Sequence, residues 1–243
     1  MKRLLSIGLN YEGSGNDLPD CHLDADAITR RALAAGYKGS KYTGIFTADD
    51  FLGELSRLRH SAKKSDTTLI SFSGHGSQNT GSRTEADYME EYLCFWDGRY
   101  IEFFVDDDFR NLLNEIKGAV ILFLDCCFSG GMERQAVRPN LGFTRRFIPF
   151  PQGGTVFRLK PDLSRAALAL GNKLYFLSAS AESEVSWSTG TGGLFTKSFC
   201  SGYDRTRDKK TIKALVDYSA GVCAGDQTPN YKIYGGNAAK RLF

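Results

Sequence analysis

Two short apolar runs, each stopped by a turn that carries glycine, constrain this chain more than any other feature. Thr67–Phe72 ends in Ser73-Gly74-His75-Gly76, and Ala119–Leu124 ends in Asp125-Cys126-Cys127-Phe128-Ser129-Gly130. Both runs are brief, rich in β-branched or aromatic side chains, and bounded by glycine, which is the pattern of buried strands. In an open parallel sheet, ligands bind beyond the carboxyl ends of the strands. A histidine past one such end and a thiol past another make a pair suited to nucleophilic catalysis.

The rest of the chain supplies strands and helices in alternation. Arg3–Leu9 reads as a first strand, followed by the turn Gly13-Ser14-Gly15-Asn16. A helix is expected from about Cys21 to Ala35, with Leu23, Ala27, Ile28 and Ala35 on one side. Thr47 with Asp50 makes a capping box, and Phe51, Leu52, Leu55 and Leu58 form the apolar face behind it. Tyr92–Phe95 and Tyr100–Phe104 flank Asp97-Gly98, a hairpin signal. Phe109, Leu112, Leu113 and Ile116 form a helical stripe. Lys173–Ser180 reads as a late strand, and Ile212, Leu215, Val216 and Ala220 as a last helix face. This alternation predicts an α/β fold with a parallel sheet between two layers of helices.

Composition excludes several other classes. A net charge of +3 is too small to argue for nucleic acid without a clustered basic face. No apolar stretch approaches the length needed to span a bilayer. No secretory leader is visible, and six cysteines in 243 residues fit reduced thiols better than a disulfide framework. These features lead us to expect a cytoplasmic location. Cys21-His22 lacks a paired Cys-x-x-Cys spacing for metal, and Gly13-Ser14-Gly15 lacks the lysine of a phosphate loop.

Ser73-Gly74-His75-Gly76 and Asp125-Cys126-Cys127-Phe128-Ser129-Gly130 resemble the Ser-Gly-His-Gly and Asp-x-Cys-His-Ser-Gly signatures of metacaspases, the basic-residue-directed relatives of caspases. The histidine-to-cysteine spacing also approaches the gap of roughly fifty residues found in caspases. Cys21-His22-Leu23-Asp24-Ala25 is similar to the family's Gly-Cys-x-Asn-Asp-Ala element. Leu177-Ser178-Ala179-Ser180, Glu184-Val185-Ser186-Trp187 and Gly193-Leu194-Phe195-Thr196 resemble its small-subunit signature, and Gln227-Thr228-Pro229 a terminal motif of bacterial members. Phe128 and Leu23 depart from the pattern, which has histidine and asparagine there.

The resemblance implies a three-layer caspase-like α/β fold, with a mostly parallel six-stranded sheet and helices on both faces. It implies one catalytic domain over residues 1–243: a large-subunit-like part (1–128), a basic Pro/Gly-rich loop (129–172) and a small-subunit-like part (173–243). It also implies a cysteine endopeptidase that cuts after arginine, or less readily lysine, through a thioester. Cys127 would be the nucleophile and His75 the acid–base, with Gly76 and Cys127 giving backbone N–H groups to the oxyanion. Cys126 is the rival thiol, but strand alternation turns it toward the core. The family's basic pocket maps onto Cys21, Asp24, Ser73 and Asp125, whose two carboxylates suit a guanidinium. Phe128 stands where caspases carry an arginine that grips aspartate, so cleavage after aspartate is not expected.

Two further expectations attach to the resemblance. Asp106-Asp107-Asp108 is similar to a calcium-binding stretch of calcium-dependent metacaspases, although three acids also make a good helix start. No cofactor is needed for the chemistry itself. The segment Ser129–Asn172 holds four of the six prolines, and its seven basic residues face two acidic ones. A loop this long is usually functional or disordered, and self-cleavage at Arg145 or Arg146 is the functional expectation. Arg165–Leu170 is its one stretch with helical character. The expected partner is a protein or peptide with a basic residue before the cut, acted on by a monomer with no nucleic acid and no membrane. The competing readings are a caspase-like module that binds basic peptides uncut, and a transpeptidase that uses the same thioester.

Overall fold

The two apolar runs form neighbouring parallel strands at the middle of the sheet, and the other elements are arranged around them. The computed structural model of the chain describes residues 1–80, 89–127, 142–151, 156–157, 172–181, 184–206 and 210–243. Most of the 129–172 loop, including Arg165–Leu170, lies outside the described residues, as do Phe128, Ser129 and Gly130.

The main sheet contains β1 (Lys2–Gly8), β2 (Tyr37–Thr43), β3 (Thr67–Ser73), β7 (Ala119–Asp125), β10 (Lys173–Ser178) and β12 (Asn230–Tyr234), in the order β12-β10-β7-β3-β1-β2. All neighbours run parallel except β10 and β12, which are antiparallel. A second sheet has the order β4-β5-β6-β9, from β4 (Gly76–Thr80), β5 (Met89–Trp96), β6 (Ile101–Val105) and β9 (Val156–Phe157). The β5–β6 pair is the hairpin expected around Asp97-Gly98. A third pairing joins β8 (Thr144–Arg145) to β11 (Trp187–Ser188).

Helices cover both faces of the main sheet. On one side, α1 (Cys21–Ala34), α4 (Leu194–Arg205) and α5 (Ile212–Val222) bury Ile28, Ala32, Phe195, Phe199, Leu215 and Val216 against Leu69, Ile121 and Phe123. On the other, α2 (Ala48–Ser61), α3 (Asp106–Glu115) and the second sheet bury Phe51, Leu55, Phe104 and Leu113 against Ile70, Phe72 and Leu122. Each of the larger of these side chains removed from water contributes about 1.5–3 kcal/mol before entropy is counted. Thr47 and Asp50 form the expected reciprocal cap of α2. The expected face of α1 needs correction: Leu23 is exposed, and the buried positions are Cys21, Asp24, Ala25, Ile28 and Ala32. Asp24 is buried there for polar reasons, which hydrophobic periodicity does not register.

Register positions the site. Ser73 pairs with Asp125, so β3 and β7 end level with one another. The chain therefore leaves both strands side by side, and Gly74 N–H donates to the Asp125 carbonyl.

Candidate active site

His75 and Cys127 lie just past these level strand ends, and both are buried. The backbone N–H of Gly76 (3.0 Å) and that of Cys127 (3.4 Å) converge on one oxygen, the carbonyl of Arg146. Gly76 has to be glycine, because a Cβ there would overlap the Cys127 carbonyl. The Cys127 thiol donates to the Glu184 carbonyl at 3.1 Å.

His75 is clamped from several sides. Its Nε2 donates to the Asn16 carbonyl at 2.7 Å, while buried Nδ1 has no hydrogen-bond partner among the described residues. Its backbone N–H donates to the Tyr11 hydroxyl at 2.9 Å; that hydroxyl donates to the Cys94 carbonyl, and the Tyr11 ring lies 4.7 Å from the imidazole. Burial, with help from the Arg146 charge, pushes the His75 pKa down to about 4, so the ring is neutral at neutral pH. Cys126 is buried on the core side, where burial holds its thiol protonated well above the usual range.

The carboxylates beside this centre hold the side chain of Arg146, which is completely buried. Its Nη2 donates to Asp24 Oδ2 (2.6 Å) and Asp20 Oδ1 (2.9 Å). Its Nη1 donates to Ser73 Oγ (2.7 Å) and the Asp125 carbonyl (3.0 Å), and pairs with Asp125 Oδ1 at 3.2 Å. Thr196 holds the other Asp125 oxygen through its N–H and hydroxyl, and Gly193 N–H donates to Asp24. Cys21 lies in the same pocket, its thiol pushed up to about 12 chiefly by burial. Burial and the neighbouring Asp125 raise Asp24 to about 6 despite Arg146, since three carboxylates share one guanidinium.

Residues 144–148 cross the site, beginning in β8 and continuing through a bridge between Phe147 and Gly76. β8 pairs with β11, Arg146 N–H donates to the Ser186 carbonyl, and Ile148 N–H donates to the Gly76 carbonyl. This is strand addition to a ready edge, with side chains entering alternate pockets. The Arg145 guanidinium instead lies 5.9 Å over the Trp187 ring. The terminal motif braces this edge: Gln227 accepts from Trp187 N–H and donates to the Ala179 carbonyl, and Thr228 bonds the Glu184 carboxylate.

The sequence-derived residues His75, Gly76, Cys127, Cys21, Asp24, Ser73, Asp125 and Arg146 thus come together in one place. Asp106 and Asp108 open α3, where Asp106 pairs with Arg110; the side chain of Asp107 lies outside the described residues. Among the described residues, no set of three or more His, Cys, Asp or Glu side chains gathers as a metal would require. Sequence reasoning missed Asp20, Tyr11, Asn16 and the positioning role of Thr196. Thr196 ends the Gly193-Leu194-Phe195-Thr196 motif and Asn16 ends the glycine-rich turn after β1, but neither pattern signals these contacts.

Comparison with known proteins identifies the family of this fold. Residues 1–233 match the family described as "Caspase domain". The chain is 29% identical over 150 residues to Metacaspase-7 of Arabidopsis thaliana, covering 56% of this chain and 36% of that protein. It is 28% identical over 144 residues to Metacaspase-1 of Cryptococcus neoformans, covering 53% and 32%. It therefore spans about a third of the length of these curated relatives. Among solved structures, protein GSU0716 from Geobacter sulfurreducens superposes with a TM-score of 0.78 at 21% identity, covering 100% of this chain and 98% of that one. Caspase-1 from Spodoptera frugiperda superposes with a TM-score of 0.60 at 11% identity, covering 96% and 85%. With a family match over nearly all of its length and the same fold in solved relatives, the chain belongs to the caspase domain family.

Proposed function

We propose that the chain is a cysteine endopeptidase that cleaves after arginine, and that its first substrate is its own Arg146–Phe147 bond. One observation carries this reading. The Arg146 side chain occupies the carboxylate pocket while its carbonyl oxygen takes both N–H groups of Gly76 and Cys127. A residue held by its charge at one end and by its reacting carbonyl at the other is bound as a substrate.

Cys127 Sγ first leaves the Glu184 carbonyl and gives its proton to the neutral His75. The thiolate attacks the Arg146 carbonyl carbon, and the two backbone N–H groups carry the oxyanion. His75 then protonates the Phe147 nitrogen, the C–N bond breaks, and Arg146 remains as a thioester on Cys127. Water, deprotonated by His75, attacks the thioester, frees an Arg146 carboxylate and restores the thiol. Once residues 142–146 leave, the same pocket accepts arginine from other protein chains, and lysine less readily. A seated strand that is never cut would make the site a binding module, and attack by an amine in place of water would make it a transpeptidase.

Intact mass measurement of purified protein tests this, with and without calcium. The wild-type chain should yield two fragments joined at Arg146/Phe147, Cys127→Ala a single intact mass, and Arg146→Ala no cut at that bond. Cleavage that persists in Cys127→Ala would sink the reading.

A further inference from the structure

Asp20 stands immediately before the Cys21 element, yet its carboxylate lies in the pocket and is fully buried. It opens α1 without capping it. Oδ1 accepts from Arg146 Nη2 and the Ser188 hydroxyl, and Oδ2 accepts from the N–H groups of Thr189 (3.1 Å), Gly190 (2.9 Å) and Gly192 (2.9 Å). We infer that Asp20 is a specificity-determining residue whose carboxylate makes this pocket select arginine over lysine. The inference rests on the peptidase reading above and deepens it.

The division of contacts is the reason. Nη2 of the seated guanidinium is shared by Asp20 and Asp24, while Nη1 belongs to Asp125 and Ser73. A guanidinium presents these nitrogens as a rigid planar fork, whereas lysine presents one compact ammonium. An ammonium placed between Asp24 and Asp125 leaves Asp20 a buried anion with no cation. Moved toward Asp20, it abandons Asp125 and Ser73. Asp20 cannot relieve the mismatch by moving, because four hydrogen bonds besides that of arginine fix it. With arginine seated, against the cost of burial, the Arg146 charge and the hydrogen bonds from Ser188 and Gly192 lower its pKa, so Asp20 meets the guanidinium as an anion. A site built to satisfy polar groups rejects the ligand that leaves one unpaired. With Asp20 uncharged, Asp24 and Asp125 remain, and either cation satisfies them.

The test compares kcat/KM for matched peptides ending in Arg or Lys on processed enzyme, wild type and Asp20→Asn. Wild type should favour Arg by about 100-fold or more, and Asp20→Asn should narrow this to within about tenfold, mainly by losing rate on Arg. Equal losses on both peptides would mean that Asp20 only holds the 188–192 turn, and would overturn the inference. If wild type cuts neither peptide, the peptidase reading fails, and the uncut Cys127→Ala chain decides the role of Asp20 by thermal melting. There, Arg146→Lys should lower Tm clearly with Asp20 present and much less in Asp20→Asn. Equal drops would refute the selectivity.

Discussion

His75 owes its chemistry to what surrounds it, and its pH behaviour should separate two states of the molecule. With Arg146 seated, burial and the guanidinium hold the imidazole near 4, so it stays neutral and ready to accept a proton in mild acid. Departure of Arg146 removes a charge that lowers the pKa, together with a smaller backbone contact that raises it, so on balance the pKa moves back toward its usual 6.5. Protonation disables a general base, so activity falls as pH drops through whichever value applies. The acid limb of self-cleavage should therefore lie below about pH 5, and that of kcat/KM on an added Arg peptide clearly higher. Coincident limbs near 6.5 would show that the seated strand does not tune this histidine. His75 and Cys127 were legible in the sequence because each follows a strongly apolar strand within a motif. Asp20 was not: an acid at the start of a helix is what capping already explains, and only the fold brings it to Arg146.

Elements differ in how far sequence betrays them for a reason of the same kind. β3 and β7 are buried on both faces and announce themselves through continuous apolar runs. β2, Tyr-Lys-Gly-Ser-Lys-Tyr-Thr, is a polar edge strand whose one strand neighbour is β1; buried Tyr37 also anchors it, but no continuous apolar run marks it. β8 and β11 are two residues each and exist only because one strand lies across another. The turn into α4 shows how tightly these pieces meet. A Cβ on Gly193 would overlap Asp125 Oδ2 and come within 2.6 Å of Arg146 Nη1. Gly193→Ala should slow self-cleavage by at least about tenfold, because a displacement of an ångström at a reacting centre is costly. A time course of the two fragments measures it, and an unchanged rate would argue that the pocket has slack.

Across the whole molecule, the parallel sheet carries both halves of the site on one rigid support, with an apolar core on each face. Among the described residues, no helix is long and apolar enough to cross a membrane. Because Cys127 and the proposed scissile bond share one chain, and the Cys127 N–H already bonds the Arg146 carbonyl, cutting should be intramolecular. The fragment half-time should stay constant over a hundredfold dilution; a half-time that lengthens as protein is diluted would mean that one molecule cuts another. The two-layer helical covering follows the alternation of strands and helices in the sequence, whereas the strand order is set by packing. The course of residues 144–148 does not, since their own pattern is unremarkable and only the pocket gives Arg146 its place.

The strand across the site also has an afterlife. Once Arg146–Phe147 is cut, residues 142–146 remain joined to Cys127 through residues 128–141, with a new carboxylate at their end. A tether of this length keeps a ligand at an effective concentration of about millimolar. If the chain cuts itself as proposed, the processed enzyme is born inhibited by its own product. The affinity that a foreign chain displays for it records a contest with this tethered end as much as the fit of the foreign chain itself.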